Sequence, residues 1–134
     1  MDFTGRHVVI TGASTGIGRA TADRIAALGG SVTLIARRAE LLEAACQELG
    51  GSAKWAAADV GDKAQLIAAL DSAAAQNGPI DALFLNAGTG GAFAPVEAYR
   101  DDTFDTVLAV NLKSPFWAIA HVMPGMAERG RGAI

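Results

Sequence analysis

The sequence predicts an α/β fold with a doubly wound parallel sheet, on three observations. Short apolar runs alternate with longer segments of helical periodicity, the order typical of strand-helix-strand units. The runs are continuously apolar, as in strands covered on both faces. Apolar residues make up 51% of the 134 residues, and charged residues 19%, which is enough to build the core of one domain.

The first half of the chain predicts two helices between three strands. A continuous apolar run predicts a strand over 7–11, and apolar residues at helical spacing predict a helix over 16–28. The same alternation predicts a strand over 31–36, a helix over 39–49 and a strand over 53–58. Each of the two helices is followed by a Gly-Gly pair, which favours a left-handed helix end.

The second half predicts two more helices around a fourth strand. A helix is predicted over 63–76, where Asp62 can accept hydrogen bonds from the free N–H groups of the first turn. An almost wholly apolar segment predicts a strand over 80–85, and a long helix follows over about 102–127. Pro115 should bend or break that helix because proline lacks an N–H group.

The end of the sequence looks like the start of a fifth strand. The last two residues, Ala133 and Ile134, follow a Gly-Arg-Gly turn. We therefore expect residues 1–134 to be one partial domain, interrupted after its fourth helix. If the fourth strand has no outer neighbour, its free edge favours dimerisation or a second polypeptide.

Composition excludes several classes of function. Eleven basic against fourteen acidic residues give a net charge of -3, which argues against nucleic-acid binding. One cysteine, Cys46, cannot form an internal disulfide, and with two histidines it offers no metal-ligand spacing. No apolar stretch is long enough to span a membrane. A reducing, cytoplasmic setting without metal is the expectation.

The Gly-rich segment 11–18 is the strongest functional signal, because it lies between the first strand and the first helix. Gly12 permits a tight turn, Gly16 lets the backbone approach a pyrophosphate, and Gly18 lets helix and strand pack closely. Free N–H groups and the helix dipole attract the anion there. The alternative is a Gly-rich turn without a ligand. The candidate cofactor-binding residues of this segment are Gly12, Ser14, Thr15, Gly16, Ile17 and Gly18.

This segment closely resembles the T-G-x-x-x-G-x-G signature of the short-chain dehydrogenase/reductase family. Three further segments match in order. Asp59 and Val60 look like the family's adenine-contacting pair, and Asn111 is similar to an asparagine that helps to hold a water in the family's proton relay. Asn86, Ala87 and Gly88 look like the last three residues of its N-N-A-G motif, with Leu85 in place of the first asparagine.

The resemblance implies a Rossmann-type nicotinamide-binding domain and hydride transfer between the cofactor and a small alcohol or carbonyl substrate. The family's catalytic tyrosine and the lysine four residues later have no match, because the residue four positions after Tyr99 is Thr103. We therefore expect this chain to be inactive alone. On residue type alone, Asp59 could be a turn or cap residue, Asn86 part of a plain turn, and Asn111 a packed amide.

Cofactor choice depends on the end of the second strand. NAD sites usually place an acidic residue there to bind the ribose hydroxyls, whereas this chain has Arg37 and Arg38 after Ala36. Guanidinium groups would pair with a 2′-phosphate, so the sequence favours NADP(H) over NAD(H). The alternative is that both arginines begin a solvated helix.

A second functional class stays open at this point. The chain could be a non-catalytic NADP(H)-binding or dimerisation module, either a homo-oligomer or a partner of a complementing C-terminal segment. His121 has no acidic residue beside it in the sequence, so a position on the helix surface is expected for it rather than a role as a general base.

Overall fold

The computed structural model describes residues 2–134, which form four strands and five helices. The strands are β1 (His7–Thr11), β2 (Ser31–Ala36), β3 (Lys54–Ala57) and β4 (Ala82–Phe84). The helices are α1 (Gly16–Ala27), α2 (Ala39–Leu49), α3 (Lys63–Asn77), α4 (Asp101–Leu108) and α5 (Ser114–Glu128). A 3₁₀ turn (Val96–Ala98) precedes α4, and a π-helical turn (Ala109–Lys113) joins α4 to α5.

The four strands form one parallel sheet in the order β3-β2-β1-β4. The predicted α/β fold with a parallel sheet is therefore confirmed. Ala133 adds an isolated parallel bridge to Ala82, on the side of β4 away from β1, which is where a fifth strand would pair.

Both faces of the sheet are buried, which explains the continuously apolar strands. Successive side chains of a strand point to opposite faces. Accordingly Val9 packs into the core formed with α3 and α5, whereas its neighbours Val8 and Ile10 pack into the core formed with α1 and α2. Strand β4 is less well covered on the second face, where Phe84 remains 37% exposed.

The helix boundaries follow the predicted signals closely. The Asp62 carboxylate accepts a hydrogen bond from the Gln65 N–H at 3.1 Å, as expected of a capping residue. Helix α1 is followed by Gly29 at φ 85°, and α3 by Gly78 at φ 81°, both in the left-handed region.

Strand β4 is shorter than predicted, because its pairing with β1 covers only three residues. The predicted strand extended over 80–85. At its start, the Ile80 carbonyl accepts a hydrogen bond from Arg129 Nη2 at 2.7 Å instead of one from a neighbouring strand. At its end, the Asn86 N–H turns back onto the Phe84 carbonyl. Strand β3 is likewise shorter than the predicted 53–58 by one residue at each end.

The long helix is not broken at Pro115, but it is irregular in the turn directly before it. The backbone stays right-handed helical through Lys113 and Ser114, and Ala109–Lys113 form the π-helical turn. Pro115 has no N–H to donate to the carbonyl of Asn111, four residues earlier, which lies in that turn, so the local widening fits the predicted effect of the proline. The helix thus continues to Glu128, one residue past the predicted end.

The cysteine and the two tryptophans lie against the hydrophobic cores. Cys46 is half-buried against the core under α1 and α2, and burial raises the pKa of its thiol. Trp55 packs against the core under α1 and α2, and Trp117 packs against the core under α3 and α5. Over residues 2–134, no helix is both long and apolar enough to cross a membrane. Within the same residues, no cluster of three His, Cys, Asp or Glu side chains is arranged to hold a metal.

Candidate functional site

A cleft of about 430 Å³ opens at the carboxyl ends of the four strands. In a parallel sheet this edge collects the loops that follow every strand, and it is where ligands bind in open α/β sheets. The lining residues are Gly12, Ser14, Thr15, Ala36, Arg37, Arg38, Ala58, Asp59, Val60, Asn86, Ala87, Gly88, Thr89, Thr106 and Val110.

The turn after β1 is built on glycines that no larger residue could replace without strain or overlap. Gly12 lies at φ 65°, and a Cβ atom there would be 2.9 Å from the Ala87 Cα. Gly16 lies at φ 62° with open space around it. A Cβ at Gly18 would be 2.5 Å from the Gly12 carbonyl oxygen, so the first turn of α1 packs directly on the loop.

The N-terminus of α1 is open to an anion. Thr15 is the N-cap residue, but its side chain makes no capping hydrogen bond, and the first turn contains no acidic residue. The first-turn N–H groups therefore keep their capacity to donate, and the helix dipole is not neutralised locally. Ser14 and Thr15 place hydroxyl groups on the same side of the cleft.

The end of β4 is fastened to the same turn. Asn86 Nδ2 lies 3.2 Å from the carbonyl oxygens of both Thr11 and Gly12, and the Ala87 N–H donates to Thr11 Oγ1 at 3.1 Å. The amide of Asn86 is thus used to hold two loops together. This clasp fixes the width of the cleft between the ends of β1 and β4.

The loop after β3 forms the opposite wall. Asp59 Oδ1 accepts the Gly61 N–H at 2.9 Å, and the Asp59 N–H donates to Gln65 Oε1 at 3.0 Å, so this exposed carboxylate is held in a tight turn. Val60 is buried beside it. A Cβ at Gly61 would lie 3.3 Å from both Asp59 Oδ1 and Val110 Cγ2, which places this loop against the π-helical turn.

Arg37 and Arg38 follow β2 directly and are both exposed in the cleft. The ion pairs formed within residues 2–134 engage other arginines and His121, and neither Arg37 nor Arg38 has a carboxylate within salt-bridge distance. The strand before them ends in Ala36, which contributes no acid. Both arginines line the cleft, and within the described residues neither side chain makes a hydrogen bond or ion pair, so their donors are free for a bound anion.

Asn111 lies in the π-helical turn and binds the loop that follows β4. Its Oδ1 accepts the Thr89 N–H at 2.9 Å, and its Nδ2 donates to the Thr89 carbonyl at 2.8 Å. The backbone of Thr89 thus pairs with both the oxygen and the nitrogen of the Asn111 side-chain amide. This contact is the packing role that residue type alone allowed for Asn111. A water-holding role for Asn111 stays a prediction.

The structure brings together ten of the fourteen residues proposed from the sequence and leaves four outside the cleft lining. Gly16, Gly18 and Asn111 lie behind or beside it, and the Ile17 side chain is 73% exposed on the α1 surface. Sequence reasoning missed five lining residues, which are Ala36, Ala58, Thr89, Thr106 and Val110. Only their positions in the sequence could have indicated them. Ala36, Ala58 and Thr89 adjoin predicted motifs or strand ends, and Thr106 and Val110 have the spacing of residues on one helix face.

A family model described as short chain dehydrogenase matches residues 6–134. The chain belongs to the short-chain dehydrogenase family. The motifs that gave the resemblance therefore lie in a matched segment that covers nearly the whole chain.

The family's solved structures include members with either nicotinamide cofactor. A metagenomic short-chain oxidoreductase in complex with NADP superimposes with a TM-score of 0.91 at 35% identity, covering 97% of this chain and 60% of the other. NAD⁺-bound xylitol dehydrogenase superimposes with a TM-score of 0.89 at 37% identity, covering 98% and 52%. A nicotinamide cofactor is thus supported by the family, without a choice between its two forms.

Levodione reductase of Leifsonia aquatica is 38% identical to this chain over 137 residues. The match covers 98% of this chain and 51% of that protein. The chain spans about half the length of the curated relatives it matches.

Two side chains outside the cleft are engaged in other contacts. The Tyr99 hydroxyl accepts the Ala92 N–H at 3.2 Å, so this tyrosine holds the loop after β4. His121 is on the helix surface as expected, but an acidic residue does face it, because Asp71 of α3 lies 2.7 Å from its Nε2. The sequence around His121 contains no such acid, because α3 supplies the carboxylate from 50 residues away.

Proposed function

We propose that this chain is the cofactor-binding half of an NADP(H)-dependent short-chain dehydrogenase/reductase. Such an enzyme interconverts a small alcohol and a carbonyl compound. The observation that carries the proposal is one cleft that combines the uncapped N-terminus of α1 with the unpaired Arg37 and Arg38. A bound nicotinamide would donate the hydride when the carbonyl is reduced and accept it when the alcohol is oxidised.

The residues present fit such a cofactor by their donor chemistry. First-turn N–H groups of α1 and the hydroxyls of Ser14 and Thr15 suit a pyrophosphate, because all of them can donate to anionic oxygens. The two guanidinium groups suit an additional phosphate on the ribose. In our proposal Asp59, Val60 and the clasp formed by Asn86 bound the adenosine side of the cleft, and Ala87 and Gly88 continue its wall.

The phosphate preference is tested by binding NADP⁺ and NAD⁺ to the wild-type chain and to an Arg37→Ala/Arg38→Ala double variant. We expect the wild type to bind NADP⁺ about tenfold or more tightly than NAD⁺, because hydrogen bonds to charged groups contribute about 1.5–3 kcal/mol each. The double variant should lose that preference while keeping its affinity for NAD⁺. Isothermal titration calorimetry gives both dissociation constants.

Arg24→Ala is the matched control, since Arg24 is an exposed arginine of α1 that does not line the cleft. It removes one positive charge without touching the proposed phosphate site, so the ratio of the two affinities should stay at the wild-type value. Equal or tighter binding of NAD⁺ by the wild type would refute the preference for NADP(H).

We propose further that a complementing C-terminal segment completes the enzyme, because a second copy of this chain would lack the catalytic tyrosine and lysine as well. The uncovered Phe84 side chain and the single bridge from Ala133 to β4 support a partner at this edge. The chain has one tyrosine, Tyr99, whose hydroxyl accepts a hydrogen bond from the loop after β4. The residue four positions later is Thr103 and not lysine. We expect the chain alone to consume no NADPH with carbonyl substrates that a full-length family member reduces in a parallel assay. Turnover by the chain alone would contradict this proposal.

A further inference from the structure

We infer that Tyr99 is a positioning residue, which fixes the loop after β4 before a dinucleotide binds and so preorganises the end of the cleft opposite Arg37 and Arg38. This inference rests on the proposed function, because it assigns a role within the nucleotide site proposed above. Tyr99 belongs to no sequence motif and does not line the cleft, so it acts through the loop that it holds.

The loop after β4 has few contacts that could order it. Among residues 88–100, every residue except Tyr99 is exposed. A segment with so little buried surface opens easily unless specific contacts hold it. One such contact lies at the start of the loop, where the Asn111 amide pairs with the backbone of Thr89 at 2.9 and 2.8 Å. Tyr99 supplies the second.

Tyr99 holds the loop through its hydroxyl group and through close packing. Its Oη accepts the Ala92 N–H at 3.2 Å. Gly91, at φ 70°, lies beside the same hydroxyl, since a Cβ atom there would overlap Tyr99 Oη and would lie 2.8 Å from Val107 Cγ2. The backbone conformation and the lack of space therefore both require glycine at this position. Because Val107 belongs to α4, the contact fixes this part of the loop against that helix.

The loop that Tyr99 fixes begins in the wall of the cleft. Gly88 and Thr89 line the cleft, and Gly91 is two residues beyond Thr89. In the sheet order β3-β2-β1-β4, strands β2 and β4 lie on opposite sides of β1. The loop after β4 is therefore on the far side of the α1 N-terminus from the two arginines that follow β2.

This placement determines which half of the ligand Tyr99 affects. With the pyrophosphate at the N-terminus of α1 and the 2′-phosphate at the arginines, the nicotinamide half extends towards the end of β4. A wall that is ordered before binding spares the ligand the entropic cost of ordering it. Loss of the Tyr99 contact should therefore weaken the binding of the nicotinamide half and leave the adenosine half unaffected.

The test compares NADP⁺ with 2′-phospho-ADP-ribose, which lacks only the nicotinamide ring. Dissociation constants for both ligands are measured with the wild-type chain and with Tyr99→Phe, which keeps the aromatic ring but removes the hydroxyl that accepts the Ala92 N–H. We expect the wild type to bind NADP⁺ more tightly than 2′-phospho-ADP-ribose. In Tyr99→Phe the affinity for NADP⁺ should fall about two- to tenfold, the range for one neutral hydrogen bond, while the affinity for 2′-phospho-ADP-ribose stays unchanged.

Two neighbouring glycines provide a matched pair of further variants. Gly91→Ala places a methyl group against the Tyr99 hydroxyl at a left-handed φ, and it should lower the affinity for NADP⁺ at least as much as Tyr99→Phe. Gly90 does not need a positive φ and has no atom within 4 Å of an added Cβ. Gly90→Ala should therefore leave both affinities at the wild-type values.

The outcomes separate this inference from the proposed function. A ratio of the two affinities that stays at the wild-type value in Tyr99→Phe and Gly91→Ala overturns the role of Tyr99, including the case in which both ligands lose affinity equally. The same ratio is measured with NAD⁺ and ADP-ribose, so a wrong preference for the 2′-phosphate does not affect the result. A wild-type chain that binds none of the four ligands contradicts the proposed function and this inference together.

Discussion

Replacing Gly18 by alanine should lower the free energy of unfolding by about 1–3 kcal/mol, the usual cost of overpacking a tight interior site. A Cβ atom there would lie 2.5 Å from the Gly12 carbonyl oxygen, 2.7 Å from Asn86 Nδ2 and 3.0 Å from the Ala13 Cα. Two of these three atoms belong to the backbone, so the loop or the helix itself must move. Alanine gains about 1 kcal/mol in helix propensity over glycine, which the clash outweighs.

The same substitution should weaken dinucleotide binding. The clash pushes on Asn86, whose side chain clasps Thr11 and Gly12, and it therefore widens or distorts the turn proposed to hold the pyrophosphate. Urea unfolding followed by the fluorescence of Trp55 and Trp117 measures the stability, and calorimetric titration with NADP⁺ measures the binding.

Gly90→Ala is the matched control for Gly18→Ala. Gly90 lies in the loop after β4, does not need a positive φ, and has no atom within 4 Å of the position of an added Cβ. Its substitution should change stability by no more than about 0.5 kcal/mol, as is usual for surface changes. If the two variants unfold at the same urea concentration, the close approach at Gly18 is not what stabilises this turn.

The strands and most helix ends could be predicted from the sequence because their causes are local. Continuous apolar runs report burial on both faces, and residues such as Asp62 and Gly29 act within one helical turn of where they stand. The length of β4 could not be predicted in the same way. Before the strand, the Ile80 carbonyl accepts a hydrogen bond from Arg129, 49 residues away. After it, the Asn86 N–H bonds the Phe84 carbonyl instead of a neighbouring strand.

The π-helical turn shows the same limit within a helix. The sequence pointed to an irregularity at Pro115, and the structure widens the helix in the turn directly before it, at Ala109–Lys113. Pro115 has no N–H to bond the Asn111 carbonyl four residues earlier, so this irregularity has a local cause. The contact of the Asn111 amide with the backbone of Thr89, 22 residues earlier in the chain, could not be predicted in the same way.

The residues of the candidate site fall into two groups, those that follow a strand directly and those that lie within a helix. Sequence motifs predicted the first group, which comprises the turn after β1, the two arginines and the ends of β3 and β4. Thr106 lies in α4 and Val110 in the π-helical turn that follows it, and that turn packs against the loop at Gly61. Their spacing places them on one helix face, but only tertiary packing decides that this face lines the cleft.

Acidification from pH 7.5 to pH 5.5 should destabilise the protein through His7, with a slope of up to about 1.4 kcal/mol per pH unit for one proton. His7 is buried at the start of β1. Its Nδ1 lies 2.9 Å from the Gly78 carbonyl oxygen and its Nε2 lies 2.8 Å from Thr33 Oγ1. Because a carbonyl only accepts, the proton is on Nδ1, and Nε2 accepts from the threonine.

Burial lowers the pKa of His7 from its ordinary 6.5, against weaker opposing effects of the Gly78 carbonyl and Asp81. The folded state therefore binds fewer protons than the unfolded state around that pH. The stability that neutral His7 contributes is complete above pH 6.5 and is lost as the pH falls from there towards the lower pKa of the folded state. The carboxyl groups with shifted pKa values, such as Asp62, titrate below this window, because their values are lowered from 3.8.

The two histidines of the chain provide the variants that assign this effect. His7→Gln should be less stable than the wild type at pH 7.5 but should lose little more on acidification, since the buried titrating group is gone. His121→Gln removes the exposed histidine beside Asp71 and should keep the wild-type slope. Urea unfolding at pH 7.5, 6.5 and 5.5 gives the slope for each variant. A slope that persists in His7→Gln and disappears in His121→Gln would assign the acid sensitivity to the pair between α3 and α5 instead.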